Sequence, residues 1–239
     1  MLLPMQKVAI IIPCYNEEKR LSKAALEELH DTTQTHIYLC NDGSTDGTAA
    51  LIDGFAQSLE RCFVIQYSQN EGKANTIFKS ANNIIAKEEY SHIGYFDADF
   101  STPVSEMKRM LNRLDEEPAK FIMGSRVKLL NYDIQRKLHR HIIGRMIITF
   151  VNMRLKLGIY DTQCGAKLFP VAVARQAFLK PFETSWLFDI EIFIRLKNNG
   201  QLVLGEEFPL RHWKDVEGSK LSWKTSFKIL KELYILQKL

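Results

Sequence analysis

Apolar residues fall into two rhythms along this chain, short unbroken runs and longer stretches at helical spacing, and the two alternate from the N-terminus onward. Val8-Ala9-Ile10-Ile11-Ile12, rich in β-branched residues and closed by Pro13, predicts a strand buried on both faces. From Glu17 to Leu29, the apolar positions Leu21, Ala24, Ala25, Leu26 and Leu29 predict a helix. Strands are predicted at Ile37–Cys40, Phe63–Tyr67 and His92–Phe96, with helices at Thr48–Leu59 and Ala74–Lys87 between them. Such alternation predicts an α/β fold of right-handed βαβ units, a mostly parallel central sheet flanked by helices.

Ligands in such sheets bind at the carboxyl ends of the strands, and there the sequence turns polar. Pro13-Cys14-Tyr15-Asn16-Glu17 follows the first strand, Asn41 to Gly47 the second, Asn70-Glu71-Gly72-Lys73 the third and Asp97-Ala98-Asp99 the fourth. Beyond a helix at Val104–Leu114 and a strand at Phe121–Met123, the segment from Arg126 to Lys156 is basic and apolar by turns and reads as helix. Cys164–Phe169 reads as extended and Leu187–Asn198 as helix. No linker, repeat or low-complexity tract divides the 239 residues, so a single domain, 1–239, is expected.

Composition narrows the class. Hydrophobic residues at 46% and charged residues at 25% describe a folded globular chain. The net charge of +4 is gathered around Arg136–Arg145 and Lys214–Lys238, which suits an anionic partner on one side and argues against a nucleic-acid binder. Cys14, Cys40, Cys62 and Cys164 are widely separated, so reduced thiols in a cytoplasmic setting are expected. The residues before Val8 lack the layout of a secretory signal. The longest uncharged apolar stretch, Met146–Val151, is too short to cross a bilayer.

Asp97 and Asp99, two apart on an extended chain, share a face and suit a hard divalent cation, Mg²⁺ or Mn²⁺, that would neutralise a departing diphosphate. Carboxylates this close share a site rather than flank a sugar, which disfavours a glycosidase. Asp42 ends a strand, where an acid can accept from a pyrimidine or a ribose hydroxyl, and Ser44 or Asp46 can cap the helix that follows. Gly72-Lys73 places a lysine at a helix start, a position that favours phosphate. Neither G-x-x-x-x-G-K-[ST] nor G-x-G-x-x-G occurs.

Taken in order, Val8–Glu18, N-D-G-S-T-D-G-T at Asn41–Thr48, N-E-G-K-A-N at Asn70–Asn75, D-A-D at Asp97–Asp99 and G-S-R at Gly124–Arg126 resemble the family 2 GT-A glycosyltransferases. The polyprenyl-phosphate sugar synthases are the nearest resemblance. The strings Asp161–Phe169, Trp186–Glu191, Trp213 and Glu217–Leu221 are more similar to the dolichyl-phosphate β-glucosyltransferases than to the mannose branch. The resemblance implies inverting transfer of a hexose, glucose first, from a UDP-sugar to a polyprenyl phosphate. The alternatives are mannosyl transfer from GDP-mannose, or a non-lipid acceptor.

Position by position, the resemblance implies that residues 1–125 bind the nucleotide-sugar and 126–239 the acceptor. Pro13, Tyr15, Glu17, Asp42, Lys73 and Ala98 would surround the donor, with Asp97 and Asp99 at the diphosphate and metal. Arg126 and Arg140 would bind the acceptor phosphate, Gln163 and Asp189 would line the sugar or acceptor pocket, and Lys220 would reach the phosphates from a closing loop. For a hydroxyl acceptor Asp189 would be the base, with Asp161 behind it. The alternative places Asp189 on a helix surface, paired with Arg195 or Lys197. Ser101 stands where the mannose branch has a metal-supporting Gln, Asn41 replaces a frequent acid, and Ala74-Asn75 a frequent glycine pair.

Two basic amphipathic stretches would meet a membrane surface. The first sets Ile142, Ile143, Met146, Ile147, Phe150 and Val151 among Arg136, Arg140, Arg145 and Arg154. The second sets Leu221, Trp223, Phe227, Leu230, Tyr234 and Ile235 among Lys220, Lys224, Lys228 and Lys231. The expectation is a peripheral enzyme on the cytoplasmic face; core packing or a homodimer interface is the other use of such faces.

Overall fold

The computed structural model describes residues 6–216 and 223–239, without the side chains of residues 139–140 and 223–227. Lys220 and Leu221 therefore lie outside the described residues, as do the side chains of Arg140, Trp223, Lys224 and Phe227. The apolar runs become β1 (Val8–Cys14), β2 (His36–Asp42), β3 (Cys62–Tyr67) and β4 (His92–Phe96), linked by α1 (Lys23–Thr32), α2 (Thr48–Ser58) and α3 (Lys73–Ile85). α4 (Val104–Glu116), β5 (Phe121–Ser125), β6 (Asp133–Gln135) and α5 (Leu138–Leu155) follow. The chain then forms β7 (Ala166–Pro170), α6 (Val171–Ala177), α7 (Phe188–Asn198), β8 (Gly205–Pro209), β9 (His212–Lys214) and α8 (Trp223–Leu236).

Seven strands form one sheet in the order β3-β2-β1-β4-β7-β5-β8. β1 pairs in parallel with β2 and β4, and β5 with β8, while β7 is antiparallel to both β4 and β5. Alternation along β1 divides the core. Ile11 packs on the face covered by α3, α6 and α7, while Ile10 and Ile12 pack on the face covered by α1, α2 and α4. All three are essentially inaccessible to solvent, each contributing roughly 1.5–3 kcal/mol of hydrophobic stabilisation.

Two local expectations are corrected, and three elements go beyond the pattern. The helix expected from Glu17 starts only at Lys23, because the Ser22 hydroxyl accepts from Ala25 N and caps it there; Glu17–Leu21 is a turn closed on the Glu17 carbonyl. The helix expected from Arg126 starts at Leu138, since Asp133–Gln135 is drawn into a parallel ladder with His212–Lys214. Neither β8, β9 nor α6 was predicted from the pattern; β8 is half-buried along its length and carries no alternation to read. Among the described residues no helix is long and apolar enough to cross a membrane.

Candidate active site

The polar loops at the carboxyl ends of β1, β2 and β3 are stitched to one another. Asn16, with φ of 55°, donates its N–H to Ser44 Oγ and accepts from Thr45 N, and Glu17 N donates to Thr48 Oγ1 at 2.8 Å. Asp46 Oδ1 accepts from both Thr48 N and Thr48 Oγ1, so Asp46 rather than Ser44 organises the start of α2. Asp42, 3% exposed, accepts from Glu71 N at 2.9 Å and Gly72 N at 2.8 Å, so its first task is to hold the β3 loop over the β2 loop. Gly43 makes that approach feasible: its φ is +63°, and a Cβ there would lie 2.6 Å from the Gln69 carbonyl carbon.

A cavity of about 300 Å³ opens between these loops, lined by Pro13, Tyr15, Glu17, Asp42, Lys73, Asp97, Ala98 and Asp99, together with Arg20. Every residue expected around the donor therefore faces one space. A second cavity, of about 410 Å³, shares Arg20, Lys73, Asp97 and Asp99 with the first and extends to Arg126, Gln163 and Asp189. Asp97-Ala98-Asp99 stands at the junction. Arg20, which sequence reasoning passed over, lines both cavities and pairs with Glu17 at 2.5 Å; its only signal was the three-residue spacing from Glu17.

Lys73 donates to Asp97 Oδ1. Burial works against the Lys73 charge, but Asp97, Asp189 and Asp99 outweigh it and hold the ammonium above its ordinary pKa. Burial, and then the neighbouring Asp97, push the Asp99 carboxyl upward, against the N–H of Ser101 that it accepts at 3.0 Å. Ser101, standing where the mannose branch has Gln, thus serves Asp99 through its backbone. Two carboxylates crowded at one strand end fit a divalent cation completed by substrate phosphate oxygens. Among the described residues no cluster of three His, Cys, Asp or Glu offers an all-protein cage.

The floor beneath Asp97 comes from β7. Asp97 N donates to Gly165 O at 3.0 Å, and a Cβ on Gly165 would collide with the Asp97 carboxylate. Glycine leaves room for that carboxylate here. Asp189, at the start of α7 and 4% exposed, accepts on one oxygen from Tyr95 Oη and from Lys167 Nζ, the latter at 2.6 Å. Burial, then Asp189, raise the Tyr95 phenol well above its ordinary value. The surface pairing is corrected: Arg195 goes to Glu191 at 2.6 Å, and Lys197 donates to the Leu155 carbonyl.

Arg126 is committed as well as placed. Its Nε and Nη2 donate to Asp161 at 2.7 and 2.8 Å, and its guanidinium lies over Trp213 at 5.1 Å. Asp161 is in turn oriented by Glu207, which accepts from Tyr160 N and Asp161 N. Despite its burial, the Arg126 guanidinium holds the Asp161 carboxyl far below the carboxylate range, which disqualifies it as a reserve base. A depressed folded-state pKa means stability complete above the unfolded value of about 3.9 and withdrawn as the pH falls below it. We therefore expect the melting temperature of the wild type to drop more steeply below about pH 4 than that of Asp161→Asn. At pH 7 the variant, with Arg126 left uncompensated, should be less stable by about 3 kcal/mol. Parallel pH–stability slopes for the two proteins would contradict this.

The model of the family described as Glycosyl transferase family 2 matches residues 9–178, from β1 through α6. A dolichyl-phosphate beta-glucosyltransferase (ALG5D) of Trichomonas vaginalis is 28% identical, over 96% of this chain and 72% of its own length. That of Saccharomyces cerevisiae is 28% identical, over 96% of this chain and 74% of its own. Among solved structures, glucosyl-3-phosphoglycerate synthase from Mycobacterium tuberculosis, in complex with Mn²⁺, UDP and glucosyl-3-phosphoglycerate, superposes with a TM-score of 0.72. It is 14% identical and covers 98% of this chain and 80% of that one. The GT-A sheet, with its strand-end loops gathered on Asp97-Ala98-Asp99, thus carries a family signature along most of its length: the chain belongs to glycosyl transferase family 2 and is a glycosyltransferase.

Proposed function

We propose that this enzyme transfers glucose from UDP-glucose to a polyprenyl phosphate with inversion, giving a β-linked lipid-phosphate sugar. One observation carries the acceptor. The larger cavity is lined both by cations, Lys73, Arg126, Arg136 and Arg145, and by apolar side chains, Ile143, Ile147, Trp186 and Ile229, a lining suited to an amphiphile with a phosphate head. α5, which supplies Ile143 and Ile147 to this lining, also carries the exposed Met146 and Met153, and Leu130, which precedes the helix, is 89% exposed. The names of the Trichomonas and yeast relatives support glucose and dolichyl phosphate. Complexes of the structural neighbours with UDP and Mn²⁺ support the donor and a divalent metal.

In this reading residues 1–125 bind the donor and 126–239 the acceptor. Pro13, Tyr15, Glu17, Asp42, Lys73 and Ala98 enclose the nucleotide-sugar, and Asp97 and Asp99 are the residues that would hold a divalent metal. That cation, Mg²⁺ or Mn²⁺, supplies charge neutralisation to the departing UDP. Arg126 and Arg140 hold the acceptor phosphate, Arg126 with its plane fixed by Asp161 and Trp213. Gln163 and Asp189 line the sugar end, and Lys220 adds a cation on the phosphates. An acceptor phosphate oxygen forms the bond to the anomeric carbon as the bond from that carbon to the UDP oxygen breaks. The nucleophile is already an anion, so no proton need be removed. Asp189, held by Tyr95 and Lys167, serves as an orienting carboxylate.

The test is incubation with Mg²⁺ or Mn²⁺, a panel of UDP- and GDP-hexoses and a short polyprenyl phosphate, with products identified by mass. A polyprenyl-phosphate hexose made from UDP-glucose is expected. A mannose product from GDP-mannose, or transfer only to a hydroxyl acceptor, would replace this reading. We also expect the protein to sediment with anionic vesicles from the cytoplasmic-leaflet lipid class, and Leu130→Asp/Met146→Asp to lose this binding while its melting temperature is retained. Wild-type protein that ignores such vesicles would remove the membrane surface from the proposal.

A further inference from the structure

The chain between α6 and α7 enters the larger cavity without a strand or helix to satisfy its backbone. Its donors are taken instead by two buried carboxylates. Glu183 N and Thr184 N donate to Glu191, at 3.0 and 3.1 Å. Ser185 N, Trp186 N and Leu187 N donate to Glu232, at 3.1, 2.9 and 2.8 Å, and Ser185 Oγ donates to it at 3.0 Å. Five consecutive N–H groups are thus held by two side chains of 0% and 5% exposure. Buried backbone donors otherwise left unpaired would each cost about 1–3 kcal/mol.

The two carboxylates differ in origin. Glu191 belongs to α7 and is braced by Arg195, which also donates to the carbonyls of Ala177, Lys180 and Pro181, so this half is settled within its own stretch of chain. Glu232 comes from α8, one turn beyond Ile229, which itself lines the cavity. The residues Glu232 grips are cavity lining: Ser185, Trp186 and Leu187 precede Phe188 and Asp189 on the same wall. α7 has no side-chain cap of its own at Leu187. This part of the cavity lining therefore takes its shape from a helix outside the segment matched by the family model.

We propose that Glu232 is a positioning residue for acceptor binding: by holding Ser185–Leu187 it sets the Trp186 ring and the width of the cavity there. The assignment rests on the acceptor reading above for its substrate, but not for its structural readout. The donor cavity contains none of these residues, so the two substrates should respond differently. Glu232→Gln turns an amide N–H₂ toward the backbone donors while keeping the volume of the side chain.

Glu232→Gln should raise KM for farnesyl phosphate about tenfold, a loss equivalent to one buried hydrogen bond, with KM for UDP-glucose within about twofold of wild type. Acrylamide quenching of Trp186 fluorescence, taken as the difference between each protein and its Trp186→Phe counterpart, should rise in the variant. Glu232→Asp, which keeps the charge one methylene shorter, should fall between the two and carries the same comparison if the glutamine variant does not fold. Equal rises in both KM values, or unchanged Trp186 quenching in a folded variant, would overturn the proposal. Failure of the wild type to use farnesyl phosphate would overturn the acceptor reading instead, and the quenching comparison would still decide the role of Glu232.

Discussion

Asp97→Asn should lower kcat by about 10³-fold, the scale on which removal of a charge-stabilising group in a transition state is felt, while the protein stays folded. The residue lies where the two cavities meet and is shared by both. It accepts from Lys73 through a pair about one-third exposed, and Asp189 and Asp99 remain beside the ammonium when its charge is removed, so its loss costs little stability. What the variant loses is the negative charge that holds the ammonium and, in the proposed mechanism, the cation at the diphosphate. Circular dichroism and a melting curve would establish the fold, and single-turnover transfer would report the chemistry. Activity within tenfold of wild type would move the reaction centre away from Asp97-Ala98-Asp99.

Gly165→Ala should be nearly as damaging, about 10²-fold in kcat/KM, although it removes no functional group. The added methyl would occupy the space of the Asp97 carboxylate. One of the two must shift, and displacements on the order of 1 Å at a reacting centre cost rates of this size. β7 is anchored on both sides by β4 and β5, so the strand cannot easily yield. The carboxylate should move instead. Retention of full activity, with Asp97 still paired to Lys73 in a crystal structure of the variant, would contradict this account.

These two substitutions mark different depths of legibility. Asp97 could be read from the sequence because its meaning is local: an apolar strand, its end, and two acids two residues apart. The same holds for β1 to β4, α2 and α3, where periodicity over a few residues determines the element and the sheet type. Likewise the loops that carry Pro13, Tyr15, Glu17, Asp42 and Lys73 were expected on one edge, since every strand of a parallel sheet delivers its carboxyl end there; the family resemblance singled out these residues within them, and they line one cavity.

Gly165 could not be read so, nor could the partners of Arg126, Asp189 and Trp186. Each depends on chain segments far apart in sequence. Asp97 meets Gly165 because β7 inserts antiparallel between β4 and β5. Arg126 is turned by Asp161, and Asp161 by Glu207, 46 residues on. Asp189, open in the sequence to a surface pairing, is drawn inward because Lys167 and Tyr95 wait beneath α7. The short elements β6 and β9 exist only as each other's partners. Hydrophobic periodicity and strand-end chemistry, which need only neighbouring residues, thus determined the fold class, the donor loops and the paired carboxylates. Tertiary structure decided which charges are free and which are committed, because that depends on pairings that no local pattern encodes.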